Sequence, residues 1–273
     1  MELRIAILGY GSMGKMILQK ISASGIVSKD DLFVANRTVE KLKDAEGKAV
    51  ICGSNAEAAR DVDLIFVCVR PVDIRTVLEE IRPVIKETAL IVSLNGSVTF
   101  ENIKKIIDTK TAKMIPSVTA EIDRSQSLVC YNDKVTAEDK AALHKICEVF
   151  GNVIELPESE IGMGSELVSC MPGFIASIFD VICTSAKAHT NIPDDKIVNM
   201  VLNTLSATSD LMLEKKMSFE DVVGRVATKG GITEEGAKVI YEGFPETADQ
   251  MFVKTLEKRR ATAQKARELF ESN

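Results

Sequence analysis

The chain has 273 residues, of which 45% are hydrophobic and 27% charged, and its formal net charge is −6. This is the composition of a globular protein long enough for two domains, and the acidic balance without a basic cluster argues against a nucleic-acid-binding surface. No apolar run approaches the length of a membrane-crossing helix and no signal peptide precedes the first predicted strand, so we expect a cytoplasmic protein.

The first predicted elements are a short apolar strand over residues 4–8, a glycine-rich turn and a helix that continues to about Ile21. The turn has the pattern G-x-G-x-x-G between a strand and a helix, which is the context that dinucleotide binding requires. Its glycines allow a tight turn, close approach of a pyrophosphate and close packing of the helix, whose N-terminus faces the phosphates. The predicted cofactor-binding residues here are Gly9, Gly11, Ser12, Met13 and Gly14.

The second predicted strand covers residues 31–35 and is followed directly by Asn36, Arg37 and Thr38. A chain that binds NAD usually has Asp or Glu at the end of this strand, where the carboxylate binds the ribose 2′-OH. Here no acid is present, and the planar guanidinium of Arg37 suits a phosphate. These three residues therefore predict binding of NADP rather than NAD. A solvated loop residue is the alternative interpretation of Arg37.

Three further apolar segments, at residues 64–69, 90–94 and 113–115, alternate with amphipathic segments such as 74–81 and 100–107. This alternation predicts an α/β fold with a doubly wound parallel sheet. Because the carboxyl ends of parallel strands meet at one edge of the sheet, we expect the residues that follow the strands to line one crevice. They are Gly9, Asn36, Arg70, Asn95 and Pro116.

Helical periodicity replaces the strand pattern after residue 157. We therefore predict a Rossmann-type NADP-binding domain over residues 1–157 and an all-helical domain over 158–273. Pro172 is suited to start a helix, and the apolar residues after it cover more of the helix than a surface helix would. A second apolar helix over 197–213 and a charged one over about 246–270 follow. The apolar faces predict dimerisation through these helices, and a self-contained bundle is the alternative.

The six cysteines are scattered without a C-x-x-C pair, and His144 and His189 are far apart in the sequence. These patterns are not typical of a disulfide framework or of a metal site. We therefore expect no metal and no chemistry that depends on histidine.

A glycine pair flanked by hydroxyl groups lies in residues 226–233, between a predicted helix that ends near Arg225 and another that begins at Glu234. The backbone N–H groups of such a turn, next to a helix N-terminus, can bind a carboxylate. Thr233 adds a hydroxyl that can donate a hydrogen bond to a nearby nitrogen or oxygen. A helix cap without a ligand is the alternative interpretation, because Thr followed by two Glu residues often begins a helix.

Together these motifs resemble the pyrroline-5-carboxylate reductase family over nearly the whole chain. Residues 9–14 are similar to its G-x-G-N-M opening, 68–71 to its A-V-K-P strand end, 113–117 to R-V-M-P-N, and 226–233 to the signature V-T-S-P-G-G-T-T. The resemblance implies NADPH-dependent reduction of the cyclic imine 1-pyrroline-5-carboxylate to L-proline. The apolar C-terminal helices predict a homodimer, and a higher oligomer stays open. We expect catalysis chiefly by positioning, with the cofactor supplying the chemistry.

The resemblance also implies roles for individual residues. Asn55 matches an asparagine that contacts the adenosine end of the nucleotide. Thr228 matches a hydroxyl that binds the substrate carboxylate together with backbone N–H groups, and Thr233 matches the residue that hydrogen-bonds the ring nitrogen. The remaining expected cofactor contacts are Val69, Arg70 and Pro71, and the remaining expected substrate contacts are Lys229, Gly230, Gly231 and Pro172.

Departures from the family pattern leave other functions open. In residues 168–174, which are similar to the family's S-G-S-G-P-A-F, Ser169 and Met171 replace both glycines, and Lys229 replaces the signature proline. A branch related to a bacterial late-competence protein has similar features. Two alternatives are a non-catalytic NADP-binding or regulatory protein of the same fold and a reductase of a related cyclic imine. A third, a 3-hydroxyisobutyrate-type dehydrogenase, needs a lysine soon after a glycine-rich turn, but the first lysine after Gly164 is Lys187.

Overall fold

The computed structural model describes residues 3–271, which form two compact units. The first unit holds the described residues up to Pro172 together with those from Leu256 onward, and the second holds Gly173–Thr255. The domain boundary at residue 157 stays a prediction, since the first unit also includes parts of the helices beyond it.

The first unit is built on a sheet with strands β1 (Ile5–Leu8), β2 (Leu32–Ala35), β3 (Val50–Ile51), β4 (Leu64–Val67), β5 (Leu90–Ser93), β6 (Thr111–Ile115), β7 (Ser125–Tyr131) and β8 (Gly151–Glu155). Their spatial order is β3-β2-β1-β4-β5-β6-β7-β8. Neighbouring strands are parallel, except that β6 and β7 are antiparallel. The predicted Rossmann-type α/β sheet is confirmed, with this one antiparallel pair added.

The helices alternate with these strands and then replace them. They are α1 (Ser12–Ser24), α2 (Asn55–Ala58), α3 (Ile74–Ile81), α4 (Phe100–Lys104), α5 (Ala137–Cys147), α6 (Ile161–Ser165), α7 (Met171–Lys187), α8 (Asp194–Lys215), α9 (Phe219–Val226) and α10 (Ile232–Glu271). A π-helical turn over Glu166–Cys170 joins α6 to α7.

Each face of the sheet has its own hydrophobic core. In β1, Ile5 and Ile7 belong to one core while Ala6 and Leu8 belong to the other, and all four are fully buried. Successive side chains of a strand point to opposite faces, so a strand that is covered on both faces must be apolar throughout. This is why β1, β4 and β5 appear in the sequence as nearly continuous apolar runs.

Strands β3, β7 and β8 were not predicted from the sequence. In β7 the inward positions Ser125 and Ser127 are fully buried, and their hydroxyls lie 3.0 Å apart. Ser125 also accepts a hydrogen bond from the backbone N–H of Ser117 at 3.0 Å. These hydrogen bonds satisfy polar groups inside the sheet. Because serines occupy these buried positions, β7 lacks the continuous apolar run by which the other strands were predicted.

The second unit has very little core of its own. Among its hydrophobic residues only Cys183 and Ile197 are buried. The exposed large side chains include Val181, Ile182, Leu202, Leu213, Phe219, Val239, Ile240 and Tyr241. Exposed apolar side chains in this number are typical of a helical unit that contacts another protein surface. This exposure weighs against a self-contained bundle.

Helix α10 and the helical stretch that ends in α7 are both longer than the sequence predicted. The long α10 joins the helix expected near Glu234 to the one expected from about residue 246, with Pro245 in its interior. The helical stretch Glu158–Lys187 is long and apolar enough to cross a membrane, by length and composition. The expectation that no segment approaches this length was therefore wrong by this measure, because glycines and serines interrupt the apolar letters but not the helix. One such helix is weak evidence for a membrane span.

Candidate functional site

The glycine turn after β1 leads into the N-terminus of α1, which no side chain caps. A side chain on Gly14 would collide with the carbonyl oxygen of Gly9, so glycine is needed for α1 to approach the strand this closely. At Gly11, by contrast, a Cβ would meet no atom within 4 Å. Gly11 is the N-cap of α1, no side chain caps the helix, and no acidic residue lies in its first turn. The free N–H groups and the helix dipole therefore suit a pyrophosphate.

A crevice of about 700 Å³ opens beside this turn, at the carboxyl ends of β1, β2 and β4. The predicted cofactor residues that line it are Gly9, Gly11, Asn36, Arg37, Thr38, Asn55, Val69 and Arg70. Sequence analysis missed Lys41, Asp73, Thr76 and Glu80, which also line it. Nothing in the local sequence distinguishes these four from surface residues, because their side chains reach the crevice only after the helices pack.

The remaining predicted cofactor residues are not among those that line the crevice within the described part of the chain. Ser12, Met13 and Gly14 form the first turn of α1, and Pro71 begins a short 3-10 turn after β4. Asn95 follows β5 and accepts hydrogen bonds from the backbone N–H groups of Ser97 and Val98, at 2.8 and 3.1 Å. Pro116 follows β6 and is buried.

Asn36 joins the glycine turn to the loop after β2. Its Oδ1 accepts a hydrogen bond from the backbone N–H of Tyr10 at 2.9 Å, and its Nδ2 donates to the carbonyl of Thr38 at 2.8 Å. Burial raises the pKa of Tyr10 to about 12, with Asp44 contributing, so its phenol is neutral at physiological pH.

Two guanidinium groups converge on one carboxylate at the far end of the crevice. Arg70 Nε donates to Asp73 Oδ2 at 2.9 Å, and Arg37 Nη1 lies 3.8 Å from Asp73 Oδ1. The side chains of Arg37 and Arg70 are 83% and 69% exposed, so both can turn towards a ligand. Asp73 thus shows that this end of the crevice can hold an anion between two arginines.

Asn55 lies at the first position of α2, and its side chain is hydrogen-bonded to another residue that lines the crevice. Asn55 Nδ2 donates to Glu80 Oε2 at 2.6 Å. Ser54 caps the same helix by accepting from the backbone N–H of Glu57 at 3.1 Å. The amide of Asn55 is therefore held in one orientation by Glu80.

The second predicted site is the turn between α9 and α10. Gly230 has φ of +73°, in the left-handed region that favours glycine. Its backbone N–H donates to Glu234 Oε2 at 2.7 Å, and that of Gly231 donates to the carbonyl of Thr228 at 2.8 Å. Thr228, Lys229 and Thr233 are exposed. The predicted substrate residues of this turn are therefore adjacent, and the predicted contact Pro172 lies in the first unit.

Pro172 follows the π-helical turn. Proline has no N–H to donate and clashes with the carbonyl four residues before it in an α-helix, which the wider π turn relieves. Glu166 in this turn is only 2% exposed, and its Oε1 accepts from Arg259 Nε at 2.9 Å and from Nη2 at 2.7 Å. Met171 is partly exposed beside Pro172. Single-turn π segments of this kind often occur at functional sites.

Metal-ligand clusters and reactive thiols are two other features that could carry chemistry in the described residues. Among residues 3–271, no group of three or more His, Cys, Asp or Glu side chains is arranged to hold a metal ion. Cys68 lines the crevice, but burial raises the pKa of its thiol far above its usual range. Burial also raises the pKa of Cys130 to about 11 and that of Cys147 to about 12. These thiols are protonated and poor nucleophiles.

Two family models match the chain. Residues 4–96 match the model described as NADP oxidoreductase coenzyme F420-dependent, and residues 158–262 match the model of pyrroline-5-carboxylate reductase dimerisation. The first match covers the glycine turn and all the residues that line the crevice. The second covers the helices with exposed apolar faces, and it supports oligomerisation through them.

Individual proteins of known name are similar to this chain over almost its full length. Pyrroline-5-carboxylate reductase 3 of Bacillus subtilis is 32% identical over 93% of this chain and 95% of its own length. ComE operon protein 4 of the same organism is 22% identical over 93% and 94%. A crystal structure of Plasmodium falciparum pyrroline carboxylate reductase with NADP bound has a TM-score of 0.85 at 20% identity, and covers 96% of this chain and 98% of its own. That structure shows the same fold.

Proposed function

Because this chain belongs to the pyrroline-5-carboxylate reductase family, we propose that it reduces the C=N bond of 1-pyrroline-5-carboxylate with NADPH to form L-proline. The family consists of NAD(P)-dependent oxidoreductases that act on this bond. The observation that carries the proposal is the open helix N-terminus at Gly11 beside a crevice that ends in two arginines.

The preference for NADP over NAD rests on the charges of the crevice. Its lining has three cationic side chains, Arg37, Lys41 and Arg70, against two carboxylates, Asp73 and Glu80. A 2′-phosphate would replace Asp73 between Arg37 and Arg70, since a dianion attracts two guanidinium groups more strongly than one carboxylate does. The ribose of NAD has no such group. The expected order of preference is therefore NADPH before NADH.

The substrate half of the proposal places the imino acid at the turn after α9. Thr228 and the N–H groups of Gly230 and Gly231 bind its carboxylate, Lys229 adds positive charge, and Thr233 holds the ring nitrogen. The coenzyme, when bound, supplies a hydride to the imine carbon. Because the imine is readily protonated in water, the residues of this chain need only hold the iminium in a near-attack geometry and limit access of water.

Assembly and location follow from the same assignment. The exposed apolar faces of α7, α8 and α10 become the contact surface of a homodimer, which also accounts for the hydropathy of the stretch Glu158–Lys187. A protein of this kind acts in the cytoplasm, where NADPH is available.

The test follows the absorbance of NADPH in a mixture of purified protein and 1-pyrroline-5-carboxylate, with NADH as the control coenzyme. We expect oxidation of NADPH, coupled to formation of L-proline, and slower oxidation of NADH. Tight binding of NADPH without any turnover would contradict the proposal. It would favour a non-catalytic nucleotide-binding protein, which the bulky Met171 beside Pro172 could explain.

A further inference from the structure

The turn between α9 and α10 already holds a carboxylate from this chain. Glu234 Oε2 accepts the hydrogen bond of the Gly230 N–H at 2.7 Å, and the Gly231 N–H is taken by the carbonyl of Thr228. Both glycine N–H groups therefore have partners within the chain. One of those partners is the same chemical group that an imino acid substrate would present.

Glu234 differs in this respect from its neighbour Glu235. Glu235 Oε1 accepts from Lys238 Nζ at 2.7 Å along the surface of α10, as an ordinary pair three residues apart does. Glu234, at the third position of the helix, instead reaches back across the first turn. A glutamate at this position commonly caps a helix. Here the cap uses the donor that the proposed function assigns to the substrate.

We propose that Glu234 determines how strongly the turn binds anionic substrates, because its carboxylate competes with the substrate carboxylate for the Gly230 N–H. The inference rests on the proposed function, since that function assigns the substrate to this turn. On binding, the Glu234 side chain rotates away and the N–H exchanges one carboxylate partner for another. No covalent bond changes in this step.

Two effects then reduce the affinity of the turn. The hydrogen bond to Glu234 must be broken before a substrate can bind, so part of the binding free energy is offset. The displaced carboxylate also stays close to the bound anion and repels it. Lys229, directly before Gly230 in the chain, supplies a positive charge that partly balances this repulsion.

The test measures steady-state kinetics of the full-length protein with NADPH and 1-pyrroline-5-carboxylate. We expect Glu234→Ala to lower the KM for the imine roughly three- to tenfold, the range of one modest hydrogen bond, with the KM for NADPH unchanged. Glu234→Gln keeps a hydrogen-bond acceptor but loses the charge. Its KM for the imine should therefore lie between that of the unaltered protein and that of Glu234→Ala. Glu235→Gln is the matched control and leaves the KM as in the unaltered protein.

A second measurement separates this inference from the proposed function. Isothermal titration calorimetry with L-proline as the probe needs no turnover, and we expect tighter binding to the Glu234→Ala variant. If no protein reduces the imine but this variant binds L-proline more tightly, the function fails and the inference stands. If reduction proceeds while KM and L-proline affinity are unchanged in the variant, Glu234 is only a helix cap. If neither reduction nor binding is seen in any of the proteins, both proposals are overturned.

Discussion

Arg259 donates two hydrogen bonds, from Nε and Nη2, to the same carboxylate oxygen of Glu166. The pair joins the π-helical turn before Pro172 to the last part of α10, within the first unit. The second oxygen of Glu166 is buried and has no hydrogen-bond partner among the described residues. The negative charge of Glu166 is therefore compensated by Arg259 through one carboxylate oxygen.

The first prediction concerns this buried pair. Arg259→Met leaves the charge of Glu166 buried without a partner, so the free energy of unfolding should fall by about 3–5 kcal/mol. Urea denaturation followed by circular dichroism measures the change. The double variant Glu166→Leu with Arg259→Met removes both charges and should recover most of the loss. A single variant as stable as the unaltered protein would show that the pair contributes nothing.

Arg37 gives the second prediction, on coenzyme preference. Arg37→Ser removes one of the two guanidinium groups at the end of the crevice, so kcat/KM with NADPH should fall about tenfold, equivalent to about 1.4 kcal/mol of charged hydrogen bonding. The value with NADH should change little. Arg60→Ser, outside the crevice lining, is the control. An equal fall with both coenzymes would contradict the assignment of the 2′-phosphate to this position.

The third prediction concerns Asp73, which now lies between Arg37 and Arg70. Asp73→Asn removes the carboxylate that competes with a 2′-phosphate, so NADPH should bind more tightly, by roughly two- to tenfold. Fluorescence titration of NADPH measures the Kd. The gain should shrink at high salt, because exposed charges are screened. Weaker binding would show instead that Asp73 orients the arginines for the nucleotide.

Thr233 gives the fourth prediction, on the substrate side. Thr233→Ala removes the hydroxyl proposed to hold the ring nitrogen, so kcat/KM for the imine should fall roughly tenfold, while the Kd of NADPH stays the same. Thr233→Ser keeps the hydroxyl and should retain most of the activity. Unchanged turnover in the alanine variant would remove Thr233 from the site.

The fifth prediction concerns stability in acid. Burial raises the pKa of Asp139, but hydrogen bonds from Lys110 and Thr136 outweigh it, and the net pKa is lowered. A lowered folded-state pKa stabilises the protein above the unfolded pKa, about 3.9 for Asp, and this contribution is lost as the pH falls through the folded value. Asp139→Asn should therefore lower Tm at pH 7 but change it progressively less below about pH 4. An equal loss at all pH values would assign the effect to packing.

The sequence predicts the nucleotide half of the fold well because its signals are local. The apolar runs of β1, β4 and β5 and the spacing of Gly9, Gly11 and Gly14 each depend on residues close together in the chain. Strand β7 was missed because Ser125 and Ser127 are buried and hydrogen-bonded to each other, which is a tertiary fact. The helices expected to begin at Glu234 and at about residue 246 form one continuous helix, with Pro245 in its interior.

By itself, the sequence determined the sheet that places a glycine turn at one crevice, the presence of the Arg37 guanidinium in place of a carboxylate after β2, and the apolar faces of the C-terminal helices. These follow from side-chain chemistry and from periodicity along the chain. Only the tertiary structure decided that Asp73 lies between Arg37 and Arg70, that Arg259 pairs with Glu166, and that Glu234 occupies the Gly230 N–H. Pairing between charged groups depends on distance and burial, and residues as far apart in the chain as Glu166 and Arg259 acquire both only when the elements pack.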